Sequence, residues 1–106
     1  MKLLTQELLT RFEQVGRQED KSDPLVIAKF FNPTGAGTWY ATEYNSKDKT
    51  FFGYVSIFND WNDEWGYFFL TELESLKGSF GLGIERDIYF TSKPFSQINE
   101  INKGGI

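Results

Sequence analysis

The stretch TWYATEYNSKDKTFFGYVSIF, residues 38–58, decides the fold because it has the pattern of two β-strands joined by a polar turn. Residues 38–44 alternate, with Tyr40 and Tyr44 on one side and Trp39 on the other. Residues 45–49 are rich in the Asn, Ser and Asp that favour turns. The segment therefore predicts an antiparallel hairpin, the clearest in the chain.

Further strands are predicted on both sides of this hairpin. Residues 25–31 are mostly apolar on both faces, as in a strand that is interior or covered by a helix. Residues 64–69 place Trp65, Tyr67 and Phe69 on a common face of another strand. Residues 84–90 form the last predicted strand.

Two helices are predicted from capping signals. Thr5 has the character of an N-cap, and Leu4 and Leu9 are spaced for a hydrophobic staple, so a helix is expected over residues 6–15. Gly16 supplies its stop. The spacing of Thr71 and Glu74 matches a capping box and predicts a second, short helix.

This order of elements predicts an α+β fold. We expect an antiparallel five-stranded sheet, with the N-terminal helix packed on one face and the second short helix before the last strand. A chain of 106 residues is expected to build one core, since two halves would each be marginal. The single domain is expected to span residues 1–95, followed by a C-terminal tail at 96–106.

The composition disfavours several functions. The formal net charge is -4, and no Lys/Arg cluster is present that could neutralise a run of phosphates, so direct nucleic-acid binding is not expected. The aromatic segments at residues 51–54 and 65–69 could form a base-stacking platform, but without a basic groove they are predicted to be core. Gly53 and Gly66 are then expected to make room for neighbouring rings.

Histidine and cysteine are both absent, so the residues that carry most nucleophilic, proton-transfer and transition-metal chemistry are missing. We therefore predict a protein that is not an enzyme, with no cofactor and no metal. No apolar run is long enough to span a membrane, and the first residues lack a signal core. A cytoplasmic protein with a protein partner is expected, and its oligomeric state is left open.

The polar loop at residues 60–64 is a candidate binding site. Asp60, Asp63 and Glu64 are oxygen ligands of the kind that calcium accepts, but the glycine and distant glutamate of an EF-hand are missing. Trp61 in a polar rim resembles a binding hot spot, although its indole could instead fold over the sheet edge. These four residues are predicted to contact a partner.

The charged segment Glu85-Arg86-Asp87 is a second candidate. Alternation puts Glu85 and Asp87 on one face roughly 7 Å apart, where they could contact a partner or, alternatively, act as the carboxylate pair of a hydrolase. Arg86 falls on the other face among apolar neighbours and needs an anionic partner or a route to solvent. Glu43 or Glu64 could supply that partner, and a structural ion pair between Arg86 and Glu43 is predicted.

The ordered aromatic motifs resemble a family of small single-domain bacterial proteins of unknown function, carried on plasmids, phages and other mobile elements. The matching segments are MKLLT (residues 1–5), KFFNP (29–33), TWYATEY (38–44), FFGYV (51–55), EWGYF (64–68), residues 70–76 and residues 81–90. The resemblance covers residues 1 to about 95, and the family offers no catalytic motif to carry over.

Some members of this family act as anti-CRISPR proteins against the Cas9-type effector of type II-A systems. The resemblance therefore implies an inhibitor of RNA-guided DNA cleavage, whose acidic residues could engage an arginine-rich surface of the effector. It transfers no established contact residue. An accessory protein of plasmid or phage maintenance is the alternative within the binding class.

Overall fold

The computed structural model describes residues 1–57, 62–77 and 79–101, so the predicted site residues Asp60 and Trp61 lie outside it. In chain order the elements are α1 (Gln6–Val15), β1 (Leu25–Val26), β2 (Ala28–Phe31), β3 (Thr38–Asn45), β4 (Thr50–Ser56), β5 (Glu64–Phe69), α2 (Leu70–Ser75), β6 (Glu85–Arg86) and β7 (Lys93–Pro94). Short 3-10 turns cover Ser79–Gly81 and Phe95–Gln97.

The main sheet is antiparallel, with the order β5-β4-β3-β2-β6. The predicted α+β class, the five strands, the N-terminal helix and the short helix before the last strand of this sheet are confirmed. Two boundaries differ from expectation. The predicted strand at 25–31 is divided at Ile27 into β1, which pairs with β7, and β2, which belongs to the main sheet. The last strand of the sheet pairs only through Glu85 and Arg86.

The β3–β4 hairpin is confirmed as the centre of the sheet. Its register runs from Thr38 opposite Ser56 to Asn45 opposite Thr50. A β-bulge at Thr42 interrupts the ladder between Ala41 and Glu43, so one residue of β3 has no partner on β4.

The ends of α1 match the sequence signals and the start of α2 does not. The Thr5 hydroxyl accepts a hydrogen bond from the N–H of Leu8 at 3.2 Å, and Gly16 ends α1 at φ 71°. In α2 the capping position is Phe69, which has no side-chain cap, so Thr71 lies inside the helix. Strand β5 passes directly into α2, and this leaves no room for the predicted capping box.

The inner face of the sheet carries the larger core. Phe51 lies at its centre, fully buried, with its ring 5.2 Å from that of Phe68 and 5.3 Å from that of Phe30. Phe12 of α1 reaches the same ring at 5.9 Å. Leu73 of α2 completes this layer, so both helices pack on one side of the sheet.

The outer face is covered by the segment after β6, residues 87–101, which we call the C-terminal arm. Ile98 and Ile101, in the stretch predicted as a tail, are buried against Tyr40 and Tyr54. The arm is held in place by a hydrogen bond from the N–H of Phe95 to a backbone oxygen of the loop before β1. Residues 96–101 therefore belong to a second, smaller core.

Gln18 holds the segment before β1 against the bulge of β3. Its amide nitrogen donates to the backbone oxygens of Leu25 at 2.9 Å and Thr42 at 2.8 Å. Its amide oxygen accepts from the N–H of Leu25 at 2.7 Å. Because the Gln18 side chain is buried, water cannot readily take its place as the hydrogen-bond partner of these backbone groups.

Replacing Gln18 by alanine is expected to lower the free energy of unfolding by about 2 kcal/mol, because buried backbone groups lose their partners. Urea denaturation followed by circular dichroism measures this change. Gln14→Ala is the matched control, since Gln14 is an exposed residue of α1. Equal stability of the two variants would contradict the bridging role of Gln18.

Candidate functional site

The cross-strand register divides the predicted site residues between the two faces. Glu85 lies opposite Phe31, and the N–H of Asp87 bonds to Lys29, so both acids are on the outer face. Asp63 is also on the outer face, but at the other edge of the sheet. Four strand spacings, roughly 19 Å, separate it from Glu85 and Asp87. Glu64 lies opposite Val55, on the inner side, and is exposed.

Asp87 at the β6 edge is part of a polar cluster around Lys29. The Lys29 ammonium is 3.7 Å from the carboxylate of Asp87 and 3.3 Å from that of Glu100. Burial of Tyr40, together with the nearby Glu100 carboxylate, raises the pKa of the Tyr40 phenol. This cluster fastens the C-terminal arm to β2 and β3, and it borders a cavity of about 600 Å³.

At the opposite edge, Asp63 accepts a hydrogen bond from the Ser56 hydroxyl at 2.7 Å. Burial of Tyr54, together with the nearby Asp63 carboxylate, raises the pKa of the Tyr54 phenol. Asp63 therefore has a structural role at the start of β5, whereas Glu64 remains free of any described ion pair.

The predicted ion pair between Arg86 and Glu43 is not formed. The Arg86 guanidinium donates to the backbone oxygen of Lys2 at 3.1 Å, and the Glu43 carboxylate accepts from the N–H of Gln18 at 2.9 Å. Arg86 is in register with Trp39 across β2, four residues along β3 from Glu43, or about 13 Å. The sheet register thus keeps the two charges apart.

A row of exposed rings on the outer face is the most distinctive surface of the described chain. We call it the aromatic strip, and it consists of Phe52, Trp65, Tyr67 and Phe69. Tyr67 is 74% exposed, Phe69 48% and Trp65 37%. The Phe52 ring is 5.0 Å from that of Tyr67 and 6.1 Å from that of Trp65. The prediction that the aromatic residues of 51–54 and 65–69 are core is confirmed for Phe51, Tyr54 and Phe68. It is wrong for Trp65, Tyr67 and Phe69, which are exposed, and Phe52 is half-buried.

Tyr67 and Phe69 are exposed because the C-terminal arm, as far as residue 101, contacts the strip at Trp65 and does not extend to them. The Phe95 ring packs at 4.7 Å from Trp65 and 5.0 Å from Tyr54, and from there the arm turns toward Tyr40. The alternation of residues in β5 predicted that Trp65, Tyr67 and Phe69 share a face, and the register with β4 confirms it. The sequence contained no signal for which part of that face the C-terminal arm would cover.

Charged residues of both signs border the strip on its hairpin side. A cavity of about 610 Å³ beside Phe52 and Tyr67 is lined by three acidic residues, Glu13, Glu43 and Asp48, and by two basic ones, Arg17 and Lys47. Arg17 is already paired with Glu19 at 2.8 Å. Burial and the nearby Glu74 and Asp48 carboxylates raise the pKa of the Tyr44 phenol, whose ring lies on the inner side of the same cavity. Ring faces beside carboxylates suit a guanidinium, which stacks on the first and pairs with the second.

The described residues offer no metal site. Within residues 1–57, 62–77 and 79–101, no three carboxylate, imidazole or thiol side chains are grouped so as to hold a metal ion. None of the helices formed by these residues has the length and apolar character needed to cross a bilayer.

The fold and this surface define a small α+β protein with a five-stranded antiparallel main sheet, a two-stranded sheet and an exposed aromatic strip. Its residues 3–103 match a family described as protein of unknown function, DUF2958, and the chain belongs to that family. No curated protein and no solved structure shows significant similarity to it. Function must therefore be argued from the surface itself.

Proposed function

We propose that this chain is a binding protein without catalytic activity, and that it inhibits a Cas9-type effector nuclease by contacting it through the aromatic strip. The observation that carries this proposal is the exposure of Trp65, Tyr67 and Phe69 in one row. Contiguous exposed aromatic side chains are uncommon on monomers and are enriched at protein interfaces.

The chemistry around the strip favours a basic partner. The chain carries a net charge of -4, and the acidic residues that line the cavity beside Phe52 and Tyr67 outnumber the basic ones, of which Arg17 is paired with Glu19. A Cas9-type effector holds its guide and target in positively charged channels, which an acidic surface could occupy. The resemblance of the aromatic motifs to anti-CRISPR proteins of mobile elements supports the same partner and a cytoplasmic site of action.

A cleavage assay tests the proposal. Purified protein at a one-to-one ratio with several type II-A effector–guide complexes is expected to stop cleavage of target DNA by at least one of them. The double variant Tyr67→Ala, Phe69→Ala is expected to lose about 2 kcal/mol of binding, roughly 30-fold in the inhibitory concentration.

Tyr89→Ala is the matched control for this assay, because Tyr89 is 88% exposed but lies outside the strip. It is expected to inhibit as well as the natural chain. Failure against every effector tested would exclude the effector as partner. Equal potency of the double variant and the control would exclude the strip as the contact surface.

A further inference from the structure

We propose that β5 binds its partner by strand addition: an extended, arginine-bearing segment of the partner pairs with the open edge of β5 as a sixth strand of the main sheet. This inference rests on the proposed binding function and specifies how the partner is held. Main-chain hydrogen bonds would supply affinity and the aromatic strip would supply side-chain contacts.

Within residues 1–57, 62–77 and 79–101, no strand pairs with the edge of β5 that faces away from β4. β5 is the last strand in the sheet order and pairs with β4 along its whole length. The N–H of Leu70 bonds to the oxygen of Lys49 at 3.0 Å, which makes this a hydrogen-bonded pair of the ladder. Because such pairs alternate in antiparallel sheets, the N–H and C=O groups of Trp65, Tyr67 and Phe69 point away from β4.

The two edges of the sheet differ in how they are protected. At the other edge, β6 has only two residues, and the N–H of Arg86 meets the Met1 sulfur at 3.1 Å. β5 has six residues, no proline and an unbroken register with β4, and its one charged residue is Glu64 at its first position. Proteins usually block such an edge with charges, bulges or proline, so its openness points to a pairing role.

The net negative charge of the chain indicates which kind of segment binds at the β5 edge. A second copy would bring another net charge of -4 to the edge, together with a second Glu64 at the start of its own β5. A cationic segment is attracted instead. Its alternate side chains would lie along the same face as Tyr67 and Phe69, where guanidinium groups can stack on the rings.

A blocked hexapeptide of alternating arginine and valine is the probe. Added to the isotopically labelled full chain, it is expected to slow hydrogen exchange of the Trp65, Tyr67 and Phe69 amides by at least about tenfold. The same peptide with methylated alternate amide nitrogens keeps its side chains and charge, but it cannot complete the ladder. It is expected to leave these three amides unprotected.

A pair of variants gives an independent measurement. Tyr67→Ala removes the ring, and Tyr67→Pro removes the ring together with the outward N–H. Proline is tolerated on an edge strand when its nitrogen faces solvent, so both variants are expected to fold. The proline variant is expected to bind the peptide at least about tenfold more weakly than the alanine variant.

Each outcome decides the inference. Equal binding of the two peptides, or no protection of the three amides at millimolar peptide, overturns strand addition. Self-association of the chain in sedimentation, with the same amides protected by a second copy, overturns the choice of occupant. These readouts need no effector, so strand addition can fail while the cleavage assay succeeds, and the reverse.

Discussion

Gly53→Ala is expected to prevent stable folding. A Cβ built at Gly53 would lie 1.9 Å from the backbone oxygen of Tyr40 and 3.0 Å from the Cα of Ala41. These are main-chain atoms of the neighbouring strand, so they cannot move without separating β3 from β4. We expect a loss of more than about 4 kcal/mol, a large part of the stability of a domain of this size.

Gly66→Ala is the matched control, because Gly66 is the direct partner of Gly53 on β5. A Cβ at Gly66 meets nothing within 4 Å, so stability is expected to stay within about 0.5 kcal/mol of the natural chain. Urea denaturation followed by tryptophan fluorescence compares the two variants. A folded Gly53→Ala variant with natural stability would show that the close approach of β3 and β4 can relax.

Phe51→Ala is expected to lower the free energy of unfolding by about 3 to 5 kcal/mol, through lost burial and the cavity left behind. The Phe51 ring packs against four other rings of the inner core, with the nearest centroids at 4.7 Å for Tyr44 and 5.2 Å for Phe68, followed by Phe30 and Phe12. Its removal therefore opens the centre of the layer between the sheet and the helices.

Phe69→Ala serves as the control for the Phe51 measurement, since it removes the same ring from an exposed site on β5. We expect a change of less than about 1 kcal/mol there. Thermal and urea denaturation of both variants give the comparison. A similar loss at the two positions would mean that Phe51 is not the centre of the core.

Local signals in the sequence were sufficient for much of the fold. The Thr5 cap, the Gly16 stop and the β3–β4 hairpin each depend on residues close together in the chain, and all three were predicted correctly. The capping box at Thr71 was a local signal too. It failed because β5 runs directly into α2, with the N–H of Leu70 already bonded to Lys49.

The features that escaped prediction depend on contacts between distant segments. The hydrogen bonds of Gln18 join residues 7 and 24 positions away, and nothing in the charged linker around it signals burial. Gly53 was expected to make room for a neighbouring aromatic ring, whereas in the structure the missing side chain makes room for the backbone of Tyr40. The register that separates Arg86 from Glu43 is equally a property of the assembled sheet.

The grouping of the rings in the candidate site could be predicted from the sequence, but their exposure could not, because exposure depends on contacts between distant segments. Alternation placed Trp65, Tyr67 and Phe69 together, and this grouping depends only on strand periodicity. Their exposure depends on the path of the C-terminal arm, which pairs through β7 with β1 and leaves the β5 side of the outer face open. Of the carboxylates chosen from the sequence, the four that the structure describes, Asp63, Glu64, Glu85 and Asp87, lie on both faces and at both edges of the sheet, so they do not form a single surface.

The C-terminal arm also has a consequence for biosynthesis. Tyr40 and Tyr54 leave the ribosome before Ile98 and Ile101, which shield them in the folded protein. Before Ile98 and Ile101 are synthesised, these tyrosines and Trp65 form one larger exposed aromatic surface. Translation that stalls before residue 95 should therefore yield aggregates or chaperone-bound chains rather than a smaller native protein.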